Sequence, residues 1–167
     1  SRKLLKIRTP FHIMKNVEPK LIELFKEGYC TPQISRIAKK ISEPSTTIYY
    51  NIKKLEKKGA IRAYNAVFDY QKIGEGFCAY VLINVSPSEY EPDWSKYETG
   101  IVAQLAKHRE VESVDIITGE WDLILKVRTK DQDEFYNFLG KVINRIAIQK
   151  SISLVSLRQV KNDFVLR

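Results

Sequence analysis

The apolar positions of this chain change their period partway along. From Val17 to Gly59 they recur every three to four residues, as in helices that bury one face. In EPKLIELFKEG, Leu21, Ile22, Leu24 and Phe25 form one stripe, and Gly28 is placed to stop the helix. In TPQISRIAKKI, Ile34, Ile37, Ala38 and Ile41 face one way, with Thr31 predicted as N-cap and Pro32 at the first helical position. After a short break at SEP, Pro44 opens a third helix that ends before Gly59. Short helices joined by a tight turn, the later one polar on one side, predict a helix-turn-helix. The segment AIRAYNAVFDYQKIG then alternates apolar and polar residues around Asn65, which predicts a small two-stranded wing.

Beyond Gly74 the period shortens. FCAYVLINV (77–85) predicts a strand, and WSKYETGIVAQLAKH (94–108) a helix that aligns Tyr97, Ile101 and Leu105. VESVDIIT (111–118) and WDLILKVRT (121–129) predict strands joined by a tight turn containing Gly119. DQDEFYNFLGKVINRI predicts a helix with Asp131 and Glu134 as a capping pair and a stripe of Phe135, Phe138, Leu139, Val142 and Ile146. SISLVSLRQV (151–160) predicts a last strand. The order β-α-β-β-α-β is the ferredoxin-like unit. The fold class is therefore α+β: an N-terminal winged helix-turn-helix followed by a ferredoxin-like βαββαβ domain. Residues 1–16 form a basic extension (an arm, an extra helix or a tail), 17–74 the helix-turn-helix and wing, and 75–167 the second domain. Helices cover one face of such a sheet, yet Cys78, Tyr80, Leu82 and Ile124 make the other face apolar too. A bare apolar face is a liability in a monomer, so a homodimer is expected.

Charge changes this picture more than composition does. The chain has 167 residues, 44% hydrophobic, with a formal net charge of +8. Residues 1–74 hold 16 Lys/Arg against 6 Asp/Glu, whereas residues 75–167 hold 12 against 14. A basic half joined to a mildly acidic half suggests that one part meets nucleic acid and the other does something else. Two solvated surfaces that differ by chance are the competing explanation. No apolar run approaches a membrane span, and no basic-then-apolar leader is present. Cys30 and Cys78 form neither a disulfide framework nor a metal site, so a cytoplasmic location is expected.

The third helix carries the candidate chemistry. At 100° per residue Ile48, Ile52 and Leu55 point inward, while Thr46, Tyr50, Lys53 and Lys57 fall on the opposite side. Ser45, Thr46, Thr47 and Tyr50, with Tyr49 at the edge, are placed for base edges, because that end of a recognition helix goes deepest. Lys53, Lys54, Lys57 and Lys58 suit phosphates, joined by Arg36, Lys39, Lys40 and, from the wing, Arg62. A merely solvated, lysine-rich helix would show the same charge; the helix-turn-helix context favours double-stranded DNA.

ISEPSTTIYYNIKKLEKKGAIRAY resembles the helix-turn-helix of the Lrp/AsnC (feast/famine) regulators, with a Ser-x-x-Ser-Thr turn and a helix ending Leu-Glu-x-x-Gly-x-Ile. Gly119-Glu120-Trp121-Asp122 matches that family's Gly-x-x-Asp turn. The resemblance covers about residues 17–161. It implies a transcription regulator whose ferredoxin-like part senses an amino acid and assembles into dimers, often tetramers or octamers, on a pseudo-palindromic site. It places effectors between subunits near Thr118, Gly119, Glu120 and Asp122, with Ser151 and Ser153 where relatives often have threonine. Gly119 would let a backbone approach a ligand, and Asp122 would receive an ammonium group. A turn glycine and a turn-stabilising aspartate explain the same residues without a ligand. The loop SPSEYEPDWSKYETG is longer than the family pattern, and the basic extension is unusual for it.

Enzymatic readings find little material. The two histidines, His12 and His108, have no nucleophile or carboxylate at a recognisable spacing, and no metal cluster or Gly-rich phosphate loop is present, so no cofactor is expected. Sirohaem decarboxylases share the two-part build, but scarce histidine and a fully basic third helix argue against them. A DNA-binding architectural protein or constitutive repressor without effector is the other alternative.

Overall fold

The computed structural model describes residues 17–86, 100–143 and 148–160. The N-terminal extension, the long loop and the start of the helix expected from Trp94 lie outside the described residues. The chain divides into two compact units between Val67 and Phe68.

The first unit is helical: α1 (Glu18–Lys26), α2 (Ile34–Ile41) and α3 (Ser45–Lys57). Gly28 takes φ +88°, a left-handed conformation that favours glycine, and so ends α1. The start of α2 differs from the expected Thr31 cap. Gln33 holds ψ 80° as the N-cap, and the Ile34 N–H donates to the Pro32 carbonyl at 3.0 Å, so the chain turns once before the helix begins. Pro44 is the extended N-cap of α3 rather than its first helical residue. The α2–α3 contact is built on buried Ala38 and Ile48. Leu55, expected inside, is 43% exposed among the described residues.

The two-stranded wing is not formed: residues 61–74 contain no strand. An isolated two-stranded ribbon is marginal, and Asn65-Ala66 lacks the glycine that a tight hairpin turn favours. The segment spends its polar groups elsewhere. The Tyr64 hydroxyl donates to Glu56 Oε1 on α3 at 3.0 Å.

The second unit is a four-stranded antiparallel sheet in the order β2-β3-β1-β4, with β1 Phe77–Val85, β2 Val111–Ile116, β3 Leu123–Thr129 and β4 Ile148–Val155. Helices α4 (Ile101–Leu105) and α5 (Gln132–Ile143) complete the expected β-α-β-β-α-β order. β4 begins and ends earlier than expected, because its register against β1 extends back to Ile148 opposite Val85. Along β1, Ala79, Val81, Ile83 and Val85 are buried with Leu123, Leu125 and Val127 of β3 and with Ile101, Leu105, Phe135, Phe138 and Val142 of the helices. The capping pair at α5 is present: Asp131 Oδ1 accepts the Glu134 N–H at 2.9 Å, and Glu134 Oε2 accepts the Lys130 N–H at 2.7 Å.

The other sheet face carries an apolar strip of Tyr80, Leu82, Ile124, Ile152 and Leu154, with the last two 44% and 49% exposed. Beside it lies a charged knot. A β2 bulge between Val111 and Ser113 brings Glu112 to both the Arg128 guanidinium and, at 2.8 Å, the Lys126 ammonium. Arg128 is buried, lies 3.7 Å from the Tyr70 ring centroid and donates to Gln159 Oε1 at 2.9 Å, binding the chain before β1 and the chain after β4 to the sheet.

Burial pushes the Glu112 carboxyl up, but the hydrogen bonds from Arg128 and Lys126 outweigh it and hold the group below its ordinary value. A depressed carboxyl stabilises the fold fully above its unfolded value, near ~4.3, and loses that contribution as pH falls through the lower folded value. Glu112→Gln is therefore expected to be less stable than the wild type at pH 7. The gap should shrink as pH drops below ~4.3, when urea midpoints of the two proteins are compared.

Candidate functional site

Pro44 and Gly59 bound α3, and Gly59 takes φ +71° just past the Lys58 C-cap. Ile48 is buried, and the face opposite it is open: Ser45, Thr46, Thr47, Tyr49, Tyr50, Lys53, Lys54, Lys57 and Lys58 are all exposed. Tyr50 is 71% exposed and meets the Tyr49 ring edge-on, with centroids 5.6 Å apart. The Thr47 carbonyl is capped by Asn51 Nδ2 at 2.8 Å, which leaves the threonine hydroxyl outside that bond. Arg36, Lys39 and Lys40 on α2 and Arg62 after α3 are exposed as well. Six exposed cations thus lie on α2 and α3 of one small unit, a seventh, Lys58, caps α3, and an eighth, Arg62, follows it.

They are not equivalent. Lys53 Nζ donates to Glu56 Oε2 at 2.7 Å and lies 5.9 Å from the Tyr49 ring centroid. Among the described residues Lys54, Lys57 and Lys58 hold no ion pair. The partnership of Lys53 with Glu56 was open to sequence reading as an i,i+3 pair. The part played by Tyr64 was not, because it depends on the chain reversing at Gly59.

The second candidate cluster lies at the β2–β3 turn. Thr118, Gly119 and Glu120 are exposed, and Gly119 takes φ +121°. A residue with a side chain would be strained there, although there is space for one. Glu120 pairs with Lys150 of β4 at 3.3 Å, and that ammonium lies 4.6 Å from the Trp121 ring centroid. Asp122 is drawn into the sheet: its Oδ2 accepts the Val85 N–H at 2.9 Å, and its own N–H donates to the Ile83 carbonyl at 3.1 Å. Ladder pairing with β3 ends at Ile83↔Leu123, so the carboxylate serves a β1 donor that lies past the last paired residue.

Ser151 and Ser153 pair with Ile83 and Val81, so they sit on the helix-covered face of edge strand β4. Ile83 thus has the turn on one side and Ser151 on the other. Lys150, which bridges this strand to Glu120, is the residue that sequence reasoning did not single out. A separate cleft of about 360 Å³ opens between residues 68–76 and 156–159, lined among others by Tyr70, Arg128 and Gln159. Its arginine is already engaged by Glu112 and Gln159. Among the described residues no group of His, Cys, Asp and Glu is arranged to hold a metal ion, and no helix is long and apolar enough to cross a membrane.

A family model for the Lrp/AsnC ligand binding domain matches residues 78–166. An HTH-type transcriptional regulator of Pyrococcus abyssi is 32% identical over 152 residues, covering 90% of this chain and 97% of its own. The HTH-type transcriptional regulator FL11 of Pyrococcus furiosus is 27% identical over 146 residues, covering 87% and 91%. Among solved structures, an AsnC family regulator from Agrobacterium tumefaciens superposes with a TM-score of 0.68 at 22% identity, covering 92% of this chain and 97% of that one. The feast or famine regulatory protein of M. tuberculosis, complexed with L-methionine, gives 0.67 at 22% identity, covering 87% and 92%.

The Asp122 geometry carries a stability prediction. Asp122→Ala is expected to leave the Val85 N–H without its acceptor and cost about 1–3 kcal/mol, read as a lowered urea midpoint with unchanged m.

Proposed function

Because this chain belongs to the Lrp/AsnC family, we propose that it is a DNA-binding transcription regulator whose three-helix unit, a helix-turn-helix, reads double-stranded DNA through α3. The observation that carries this reading is the polarity of that helix. Ile48 is buried on one side, while Thr46, Tyr50 and Lys57 lie open on the other. Hydroxyl groups at the N-terminal end suit base edges, and ammonium groups further along suit the phosphates that flank the groove.

The sheet unit, ferredoxin-like in topology, is the sensing and pairing module in this reading. Its apolar strip of Tyr80, Leu82, Ile124, Ile152 and Leu154 is to be covered by the same strip of a second copy. Two recognition helices related by a two-fold axis call for a pseudo-palindromic operator, with half-sites about one helical turn apart or a multiple of it. The protein acts in the cytoplasm, where that DNA is. The effector is an amino acid held near Gly119, Glu120 and Asp122, by analogy with the solved relative complexed with L-methionine.

DNA binding by α3 predicts two kinds of variant. Lys57→Ala should weaken all duplexes alike and flatten the dependence of log K on log salt by about 0.9. Tyr50→Ala should cost about 1–3 kcal/mol at particular base pairs and leave the salt slope unchanged. Fluorescence anisotropy across a salt series separates the two, and indifference of both variants would remove α3 as the reader.

Amino-acid sensing predicts a thermal response. Against the twenty amino acids in turn, the cognate one at a hundred times its Kd should add about 2.7 kcal/mol of stability. A melting point unmoved by all of them would count against the sensor.

A further inference from the structure

We infer that Glu56 is a positioning residue of the DNA interface, converting Lys53 from a phosphate-directed cation into an oriented donor for a base edge. This rests on α3 being the helix that faces DNA. Both oxygens of the Glu56 carboxylate are taken, and from different directions. Lys53 Nζ, one helical turn earlier, donates to Oε2 at 2.7 Å, and the Tyr64 hydroxyl, from the segment after the helix, donates to Oε1 at 3.0 Å. An i,i+3 ion pair alone on an exposed helix is loose. A second donor from another element removes that looseness, because the carboxylate must hold one rotamer to satisfy both. Tyr64 is itself half-buried, so its hydroxyl comes from a fixed ring. The Tyr49 ring, 5.9 Å from the ammonium, narrows its range further.

Charge accounting then separates Lys53 from the other lysines of α3. Sequence-independent affinity arises when a cation displaces the counter-ions condensed on phosphates. An ammonium already neutralised by a carboxylate 2.7 Å away displaces none. It keeps donors to spare, since an ammonium has three and Glu56 occupies one. Neutral overall, fixed in direction and on the same face as Thr46 and Tyr50, it suits the N7 and O6 acceptors of guanine in the major groove. Lys54, Lys57 and Lys58, with no ion pair among the described residues, remain the phosphate contacts. The charge states support the arrangement. The hydrogen bond from Lys53, then that from Tyr64, holds the Glu56 carboxyl below its ordinary range, and the bond to Glu56 raises Lys53. Loss of hydration, then the bond to Glu56, raises the Tyr64 hydroxyl.

The test uses the full chain, a duplex selected by this protein from random DNA, and a scrambled duplex, each titrated by anisotropy across a salt series. Glu56→Gln should steepen the salt slope on both duplexes by about 0.9, one added phosphate contact, and lower the preference for the selected duplex about tenfold. Tyr64→Phe should move both quantities the same way by less. Lys53→Ala combined with Glu56→Gln, which removes the ammonium and the carboxylate together, should lower the preference by a similar factor with the slope unchanged. Tyr64→Phe carries the test if the Glu56→Gln variants melt too low to assay. A slope that Glu56→Gln leaves alone, or that Tyr64→Phe leaves alone where Glu56→Gln cannot be assayed, or that the double variant flattens as Lys57→Ala does, overturns the assignment while α3 stays the reader. If Tyr50→Ala and Lys57→Ala are also silent, the DNA-facing reading of α3 has failed and takes this assignment with it.

Discussion

Strand β1 must satisfy its backbone on both edges while half its side chains are sealed from water, and the second unit is arranged around that requirement. β3 and β4 take its two edges, and α4 and α5 close over Ala79, Val81, Ile83 and Val85. The difficulty comes where ladder pairing with β3 stops, opposite Ile83, with β1 still continuing to Val85. An unpaired donor in that position is costly, and the Asp122 carboxylate removes the cost. Gly119 lets the chain turn sharply enough, at φ +121°, to bring Asp122 there. The Gly-x-x-Asp pattern therefore has a folding reason that holds with no ligand present. An effector that approaches this turn would press on the end of the central strand.

That same strand was fully legible in the sequence, and the reason is physical. Nine residues rich in β-branched and aromatic side chains, bounded by Gly76 and Pro87, admit few alternatives. α3 was nearly as clear, because Pro44 and Gly59 punctuate it at both ends. Legibility fell where local pattern yields to distant partners. The alternation after Gly59 has the period of a ribbon, but Tyr64 is turned toward Glu56 and no ladder forms. The start of β4 carries no turn signal, since Ile148 is set by its register with Val85. Among site residues, the outward face of α3 followed from helical geometry alone. The engagement of Asp122 and the reach of Lys150 to Glu120 follow from strand order, which only the fold reveals.

The outer sheet face shows two chemistries side by side, and their separation has a consequence. Toward β4 the strip is apolar and partly open, while toward β2 it is a closed knot of Glu112, Lys126, Arg128 and Tyr70. Burying Arg128 in a dry interface without Glu112 would leave its charge uncompensated, whereas Arg128 and Lys126 share the Glu112 carboxylate, and the three ionised side chains sum to one positive charge. In the proposed pairing, a second copy of the strip would meet apolar groups on one side and a hydrogen-bonded basic border on the other. Such an arrangement favours one register of approach over a general stickiness.

Four lysines within six positions of α3 pose a problem of their own. A helix end that attracts every phosphate equally binds any duplex, and a regulator must prefer a few sites to a vast excess of others. Removing cations would lower all affinities together and leave the preference unchanged. Pairing one of them internally does something different: it subtracts from the indiscriminate term while keeping a directed donor in the groove. Glu56 does this to Lys53, whereas the other three lysines hold no ion pair among the described residues. Its second bond, to Tyr64, matters for the same reason. A carboxylate free to swing would follow the lysine toward a phosphate and repel it, whereas one anchored from the following segment holds its partner in place.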